Sequence, residues 1–411
     1  MGLIRRLSRA ALAAALLAFM AAGCVAVRPA TSPPAEAPLA QRALLDAHGQ
    51  PISAKRLAEM AAKADYILIG EGHANACDHL AQADVINALA ESGILPAVGF
   101  EMFPAGAQPL LAAVNDPDVP LDALPERLGW KDNWGYDFSM YAPIFQAARA
   151  YNLPAFALNA DKALVKKVSR QGLDHLNPAE RAALPGEIIP PPPAQKQFLN
   201  DQFEQHKKMR SGKSSEDGAK PAMPAFSDER MKSFFTIQAL WDTQMAQRAL
   251  LARALSGRPV AVIAGAGHVE NGWGLAHRLK RLDPGARVLL IMPWRGGDSP
   301  APGEADLFYY CPLTIKSRLG FTLEIDEGKN DAPDTILVVT VEPGSKAEKG
   351  GLLPGDALIK AGGAPVSSPM DLHNAAMEAG KAGKSLVFEV RRAEEIIPIS
   401  IELSKSPPKA E

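Results

Sequence analysis

The sequence predicts an α/β domain, a largely parallel sheet sandwiched by helices, followed by a small β-barrel-like domain with helices. Three observations predict it. From Tyr66 to Met292, short β-branched and aliphatic runs alternate with helical patterns, as in βαβ units. Between Trp294 and Ala305 glycine and proline accumulate. Beyond them strands follow one another around a single helix, so the grammar changes.

The elements justify this in order. Arg5, Arg6 and Arg9 precede the apolar run Ala10 to Ala22. That run is short for a membrane span and fits a signal-peptide core. It ends in Ala21-Ala22-Gly23-Cys24, which resembles the lipobox of bacterial lipoproteins. The resemblance implies cleavage before Cys24 and lipidation of its thiol. Val25 follows, where lipoproteins retained at the inner membrane commonly carry Asp, so the implied address is the outer membrane, facing the periplasm. Residues 1–23 are thus read as signal peptide, and 24–44 as the lipidated Cys and a flexible, Pro- and Ala-rich tether.

Residues 45–295 form the α/β domain. Its expected strands are Tyr66–Gly70, Ala97–Met102, Pro154–Asn159, Pro259–Ala264 and Arg287–Met292. A helical insertion is read at about 170–257. Within it, Gln195 to Met209 is a polar helix, and Ser211 to Ala225 is poor in apolar residues. Ser227 looks like an N-cap for the long helix that ends near Gly257. In the aromatic stretch Trp130 to Tyr151, a helix is expected from Pro143. Residues 296–312 are a linker, 313–405 the second domain and 406–411 a tail.

Lys and Arg number 44 against 46 Asp and Glu, a net charge of -2. No broad basic field follows, which argues against a nucleic-acid partner. Besides Cys24 the chain has Cys77 and Cys311. In an oxidising compartment they could pair, but they lie in distant regions, and Cys77 is read instead as a plain buried small residue.

In an open parallel sheet, the carboxyl ends of the strands face the binding crevice. Those ends here carry Glu71 with His73, then Glu101, Asn159 and His268. Convergence of acids and imidazoles on one rim suits three chemistries. His73, Glu101 and His268 can hold a divalent metal such as Mn or Zn. Glu71, His73, Glu101 and His268 can serve a hydrolase, with His73 as general base. The same imidazoles, with aromatic neighbours, can hold a haem.

At these residues the chain resembles the ChaN family of haem-binding lipoproteins, in the group that includes Tiki-type metalloproteases and erythromycin esterases. The matching motifs are Leu68-Ile69-Gly70-Glu71-Gly72-His73 with His79, Phe100-Glu101-Met102-Phe103 with Gln108, and Ala264-Gly265-Ala266-Gly267-His268. Trp134-Gly135-Tyr136 and Tyr141 fit the family's middle region. The resemblance implies haem binding in iron uptake, a tyrosinate on the iron and a homodimer around stacked haems. The haem candidates are His73, His79, Tyr136, Tyr141 and His268.

The second domain resembles a PDZ domain. The carriers are Arg318-Leu319-Gly320-Phe321, the run Ala347 through Ile359, Gly362-Gly363-Ala364-Pro365-Val366 and the helix after Ser368. The resemblance implies that a peptide C-terminus pairs with the Phe321–Ile325 edge, its carboxylate held by the N–H groups of Leu319, Gly320 and Phe321. His373, early in the helix, is a candidate for specificity.

Overall fold

The computed structural model describes residues 39–198, 200–201, 228–326 and 335–403. The signal peptide, Cys24, most of the tether, the Gln195–Met209 helix beyond residue 201, Ser211–Ala225, the Ser227 cap and the 406–411 tail lie outside the described residues.

The first sheet contains β1 (Leu44–Asp46), β2 (Tyr66–Glu71), β3 (Ala97–Pro104), β4 (Ala155–Asn159), β5 (Val260–Gly265), β6 (Val288–Trp294) and β7 (Leu307–Tyr310). Their order is β1-β7-β6-β2-β5-β3-β4. Every neighbouring pair is parallel except β1 on β7. β2 and β5 are buried at every residue. That is why they read as unbroken aliphatic runs rather than alternating ones.

Helices α1 (Ala54–Ala61), α2 (Ala76–Glu91) and α3 (Phe138–Ala150) cover the face that presents Ile67 and Ile69. The other face carries α5 (Asp228–Ser256), which packs on β3, β4 and β5, and α6 (Leu275–Leu282), which packs on α5. Helix α4 (Lys162–Gln171) flanks α5.

Three expectations change and one is refined. The 296–312 linker contains β7, which pairs with β6 and is buried throughout. Its Tyr309 hydroxyl donates to the Gly70 carbonyl at 2.6 Å, bracing the end of β2. The segment read as a helical insertion near 170–257 includes α5, which forms part of the layer over the sheet. Helix α3 starts five residues before Pro143, because the Asp137 carboxylate caps it by accepting the Ser139 N–H at 3.0 Å. Finally, Cys77 and Cys311 form a disulfide, with Cα atoms 5.8 Å apart. Strand order brings them together: β7 lies one strand from β6, which lies beside β2.

The second sheet is antiparallel: β8 (Leu313–Ser317), β9 (Phe321–Asp326), β10 (Thr335–Val341), β11 (Ala357–Ala361), β13 (Leu386–Arg392) and β14 (Glu395–Ile401), with β12 (Ala364–Pro365) on β11. Helix α7 (Pro369–Lys381) completes the domain. Phe321, Leu323, Val338, Leu352 and Phe388 lie in its core. The strand order runs β14-β13-β11-β10-β9-β8. The Phe321–Ile325 edge, expected to be free, is therefore paired with β8, from Leu313 opposite Ile325 to Ser317 opposite Phe321. The turn between them has three residues and puts Gly320 at φ 86°. Three-residue hairpin loops need a left-handed residue there, and a Cβ on Gly320 would also collide with the Ser345 side chain.

Candidate functional site

The ends of β2, β3 and β5 converge. Register sets Glu71 beside Gly265. The chain leaving β2 turns at Gly72, whose N–H donates to Asp78 Oδ2 at 2.7 Å. Arg295 grips the same carboxylate with two hydrogen bonds of 2.6 Å. Asn75 caps α2 through the Cys77 N–H at 3.1 Å. These bonds hold the loop that carries His73.

His73 Nδ1 lies 2.6 Å from Glu71 Oε1. Glu71 is 1 % exposed, and its Oε2 is buried with no hydrogen-bond partner among the described residues. The other side of the imidazole rests on β5: a Cβ at Gly265 would sit 2.7 Å from His73 Cε1. Only glycine leaves that space. The Gly265 N–H donates to Glu101 Oε2 at 2.6 Å. Glu101 Oε1 lies 3.5 Å from His268 Nε2, and His268 Nδ1 lies 2.6 Å from Asp242 Oδ1. Asp242 comes from α5. Behind it, fully buried Arg278 of α6 approaches Asp242 Oδ2 at 3.4 Å.

Two acid–imidazole pairs thus share one crevice. His73, Glu101, Trp134, Asn159, Trp241 and His268 line a cavity of about 300 Å³. Burial opposes charge on His268, but the facing carboxylates of Glu101 and Asp242 outweigh it and raise its pKa well above the usual imidazole value. Burial likewise opposes charge on His73, and the Glu71 hydrogen bond and charge, with Glu101, raise its pKa. Burial alone would raise the Glu101 pKa, yet the His268 cation holds it below the usual value.

Of the expected site residues, Glu71, His73, Glu101 and His268 are brought together. Asn159 is on the same rim, with its Nδ2 donating to the Glu101 carbonyl at 3.0 Å. Tyr136 is 40 % exposed, its ring 5.5 Å from that of His73. His79 and Tyr141 are fully buried and stack on each other at 3.8 Å. His79 is bound to the Gln82 side chain and the His73 carbonyl. The Tyr141 hydroxyl lies 3.3 Å from both Glu71 Oε1 and the His73 carbonyl. Burial first, then Glu71, push its pKa up, against the ionisation that a tyrosinate ligand requires. Both residues buttress the His73 loop rather than face a guest.

Among the described residues no three His, Cys, Asp or Glu side chains are grouped to hold a metal ion. His73, Glu101 and His268 form no such group.

Sequence reasoning missed Asp242, Arg278, Arg295 and Asp78. An acid next to Trp241, inside the apolar stripe of a long helix, is the signal that Asp242 offered. In the second domain, the Leu319 N–H donates to Ser317 Oγ at 3.2 Å and the Gly320 N–H to the Ser317 carbonyl at 3.1 Å. Phe321 is buried, and His373 is exposed on α7.

Fold and site define a class: a parallel α/β sheet with an acid–imidazole crevice at its carboxyl edge, joined to a PDZ module. Residues 57–279 match the family described as haem-binding uptake, Tiki superfamily, ChaN, and residues 337–392 match the PDZ domain. The chain belongs to the ChaN family and carries a PDZ domain.

Its fold is similar to that of ChaN of Campylobacter jejuni, described as binding heme cofacially. The TM-score is 0.51 at 19% identity, over 66% of this chain and 99% of that one. An erythromycin esterase in its open conformation aligns with TM-score 0.34 at 14% identity, over 70% of this chain and 78% of that one. Human (Homo sapiens) whirlin is 35% identical over 100 residues, 24% of this chain. The match spans only 10% of whirlin.

Proposed function

We propose that the chain binds haem across the crevice at the ends of β2, β3 and β5, in haem or iron uptake. The observation that carries this reading is the pairing of two imidazoles of raised pKa with an exposed tyrosine 5.5 Å from one of them. The residues fit the group. Tyr136 would supply the oxygen ligand to iron, with Trp134 and Trp241 as apolar walls. His73, its charged form favoured by Glu71, would receive a propionate at Nε2, and His268, with a carboxylate facing each ring nitrogen, would hold Glu101 in place. The haem supplies the iron; the protein binds and orients it. The cofacial heme of the Campylobacter jejuni relative supports haems stacked between two copies of the chain. The PDZ domain would recruit a peptide C-terminus. We also propose an outer-membrane lipoprotein facing the periplasm, anchored at Cys24 and tethered by residues 24–44, ahead of the α/β domain.

Haem titration of the chain tests the reading. A Soret band should develop, and Tyr136→Phe should shift it and weaken binding, while Tyr141→Phe should leave its position unchanged. Absence of a band above background refutes it.

The Glu71–His73 pair at 2.6 Å favours one second reading, a metal-independent hydrolase. There the imidazole would donate or accept a proton at Nε2 beside Glu101. Ester hydrolysis by the haem-free chain, abolished by His73→Gln, would select it.

A further inference from the structure

β9 is the last strand of its sheet but for β8. An exposed sheet edge is where an extended peptide adds as a new strand. β8 lies along that edge, antiparallel to β9 over five residue pairs. Leu313 and Ile315 alternate inward and pack on the domain's core, as do Leu372, Ala375 and Ala379 of α7. The strand ends at the loop whose N–H groups would take a peptide's carboxylate, and there Ser317 accepts both: its Oγ from Leu319 and its carbonyl from Gly320. Lys316 Nζ pairs with Glu342 at 2.8 Å.

The other end of β8 is rooted in the first domain. Cys311 is bonded to Cys77, and the Cys311 carbonyl accepts from Arg295 at 3.0 Å. The Pro312 carbonyl accepts from Asn75 Nδ2 at 2.8 Å, in a buried contact. Asn75 caps the helix that follows the His73 loop. The root of the strand and the haem crevice therefore share one support.

We propose that Leu313–Ser317 is a built-in ligand of the second domain, filling the groove that an outside peptide would take. The inference rests on the reading that this domain captures peptides and deepens it in two ways. The groove is closed in this conformation, and the ligand's own pattern states what it accepts. That is an extended chain with aliphatic side chains at two alternate positions and a small hydroxyl residue at the carboxylate loop. An external peptide competes with a tethered copy. With a tethered concentration of about 1 mM and an intrinsic dissociation constant of about 10 μM, the closed chain binds it about 100-fold more weakly than an opened one.

Two measurements on the full chain test this. Hydrogen exchange reads the strand pairing, and anisotropy of a fluorescent Leu-Thr-Ile-Lys-Ser peptide with a free carboxylate reads the groove. In the native chain the amides of Phe321–Ile325 that face β8 should exchange slowly. The double variant Leu313→Asp/Ile315→Asp puts two charges on the packed side of β8. It should speed those amides at least about ten-fold while β13 stays protected, and tighten peptide binding about 100-fold. Fast exchange of these amides in the native chain would overturn the built-in ligand. So would equal peptide affinity of native and variant chains, which would leave the peptide reading standing. Slow amides released by the variant, with peptide bound by neither chain, would support the internal strand and remove the peptide reading.

Discussion

Replacing Cys77 and Cys311 together by serine deletes a link between residues 234 apart in sequence. Loop closure over that length withdraws about 5.5 kcal/mol of chain entropy from the unfolded state, whereas bridges typically deliver about 2–4 kcal/mol. Two noncovalent contacts at the same junction survive, Asn75 on Pro312 and Arg295 on Cys311. The folded geometry should therefore persist, and the loss, about 3–5 kcal/mol, should arise in the unfolded chain. The chain's five tryptophans all precede Arg295, so their fluorescence in urea follows the first domain. The variant's midpoint should fall and its slope rise, because an uncrosslinked chain exposes more surface on unfolding. Reductant should move the native curve onto the variant's and leave the variant unchanged. Native and variant curves that coincide without reductant would refute the bond and the junction built on it.

The pH dependence of stability has a definite sign on each side. His73 and His268 have folded pKa values above 6.5, so their contribution is complete below that value and lost as pH rises through the raised values. Glu101 is lowered from 4.5, so its contribution is present above that value and lost as pH falls through the lowered one. Urea midpoints across pH should show both limbs, and His268→Gln should flatten the alkaline one. Asp242→Asn leaves buried Arg278 and His268 facing a neutral amide and should cost about 3–5 kcal/mol in urea unfolding. Gly265→Ala drives a methyl into the His73 ring, costs about 1–3 kcal/mol, and should shift the His73 imidazole resonances while leaving those of His373 alone.

Much of the fold was legible because its buried parallel strands are long apolar runs closed by glycine. β2 ends in Gly70-Glu71-Gly72-His73 and β5 in Gly265-Ala266-Gly267-His268, and both patterns carry strand, turn and polar group together. β1, β7 and β8 escaped because they are three to five residues long. β7 is four consecutive large apolar residues, without alternation or a turn residue to mark its ends. Leu313–Ser317 does alternate apolar and polar, but Pro312 precedes it. The resemblance of the following loop to a carboxylate-binding turn also made Gly320 read as ligand-facing. The disulfide was open from the sequence but not favoured, for a topological reason: nothing local says that β7 returns beside β6.

At the site, the converging groups could be read, but their protonation could not. Glu71, His73, Glu101 and His268 sit on strand ends, where backbone direction alone aims them at a common point. Glu71 and Glu101 raise the His73 pKa, but that of His268 is also raised by an acid from elsewhere. Asp242 lies in α5 among apolar residues, and Arg278 lies in α6, whose Arg-Leu-Lys-Arg run reads as a solvated face. A buried ion and a surface ion look alike in a periodic pattern, because periodicity records where apolar residues fall and not which charges find partners. Asp242 changes the setting of His268. Held between Asp242 and Glu101, its ring has a carboxylate facing each nitrogen, and both acids raise its pKa.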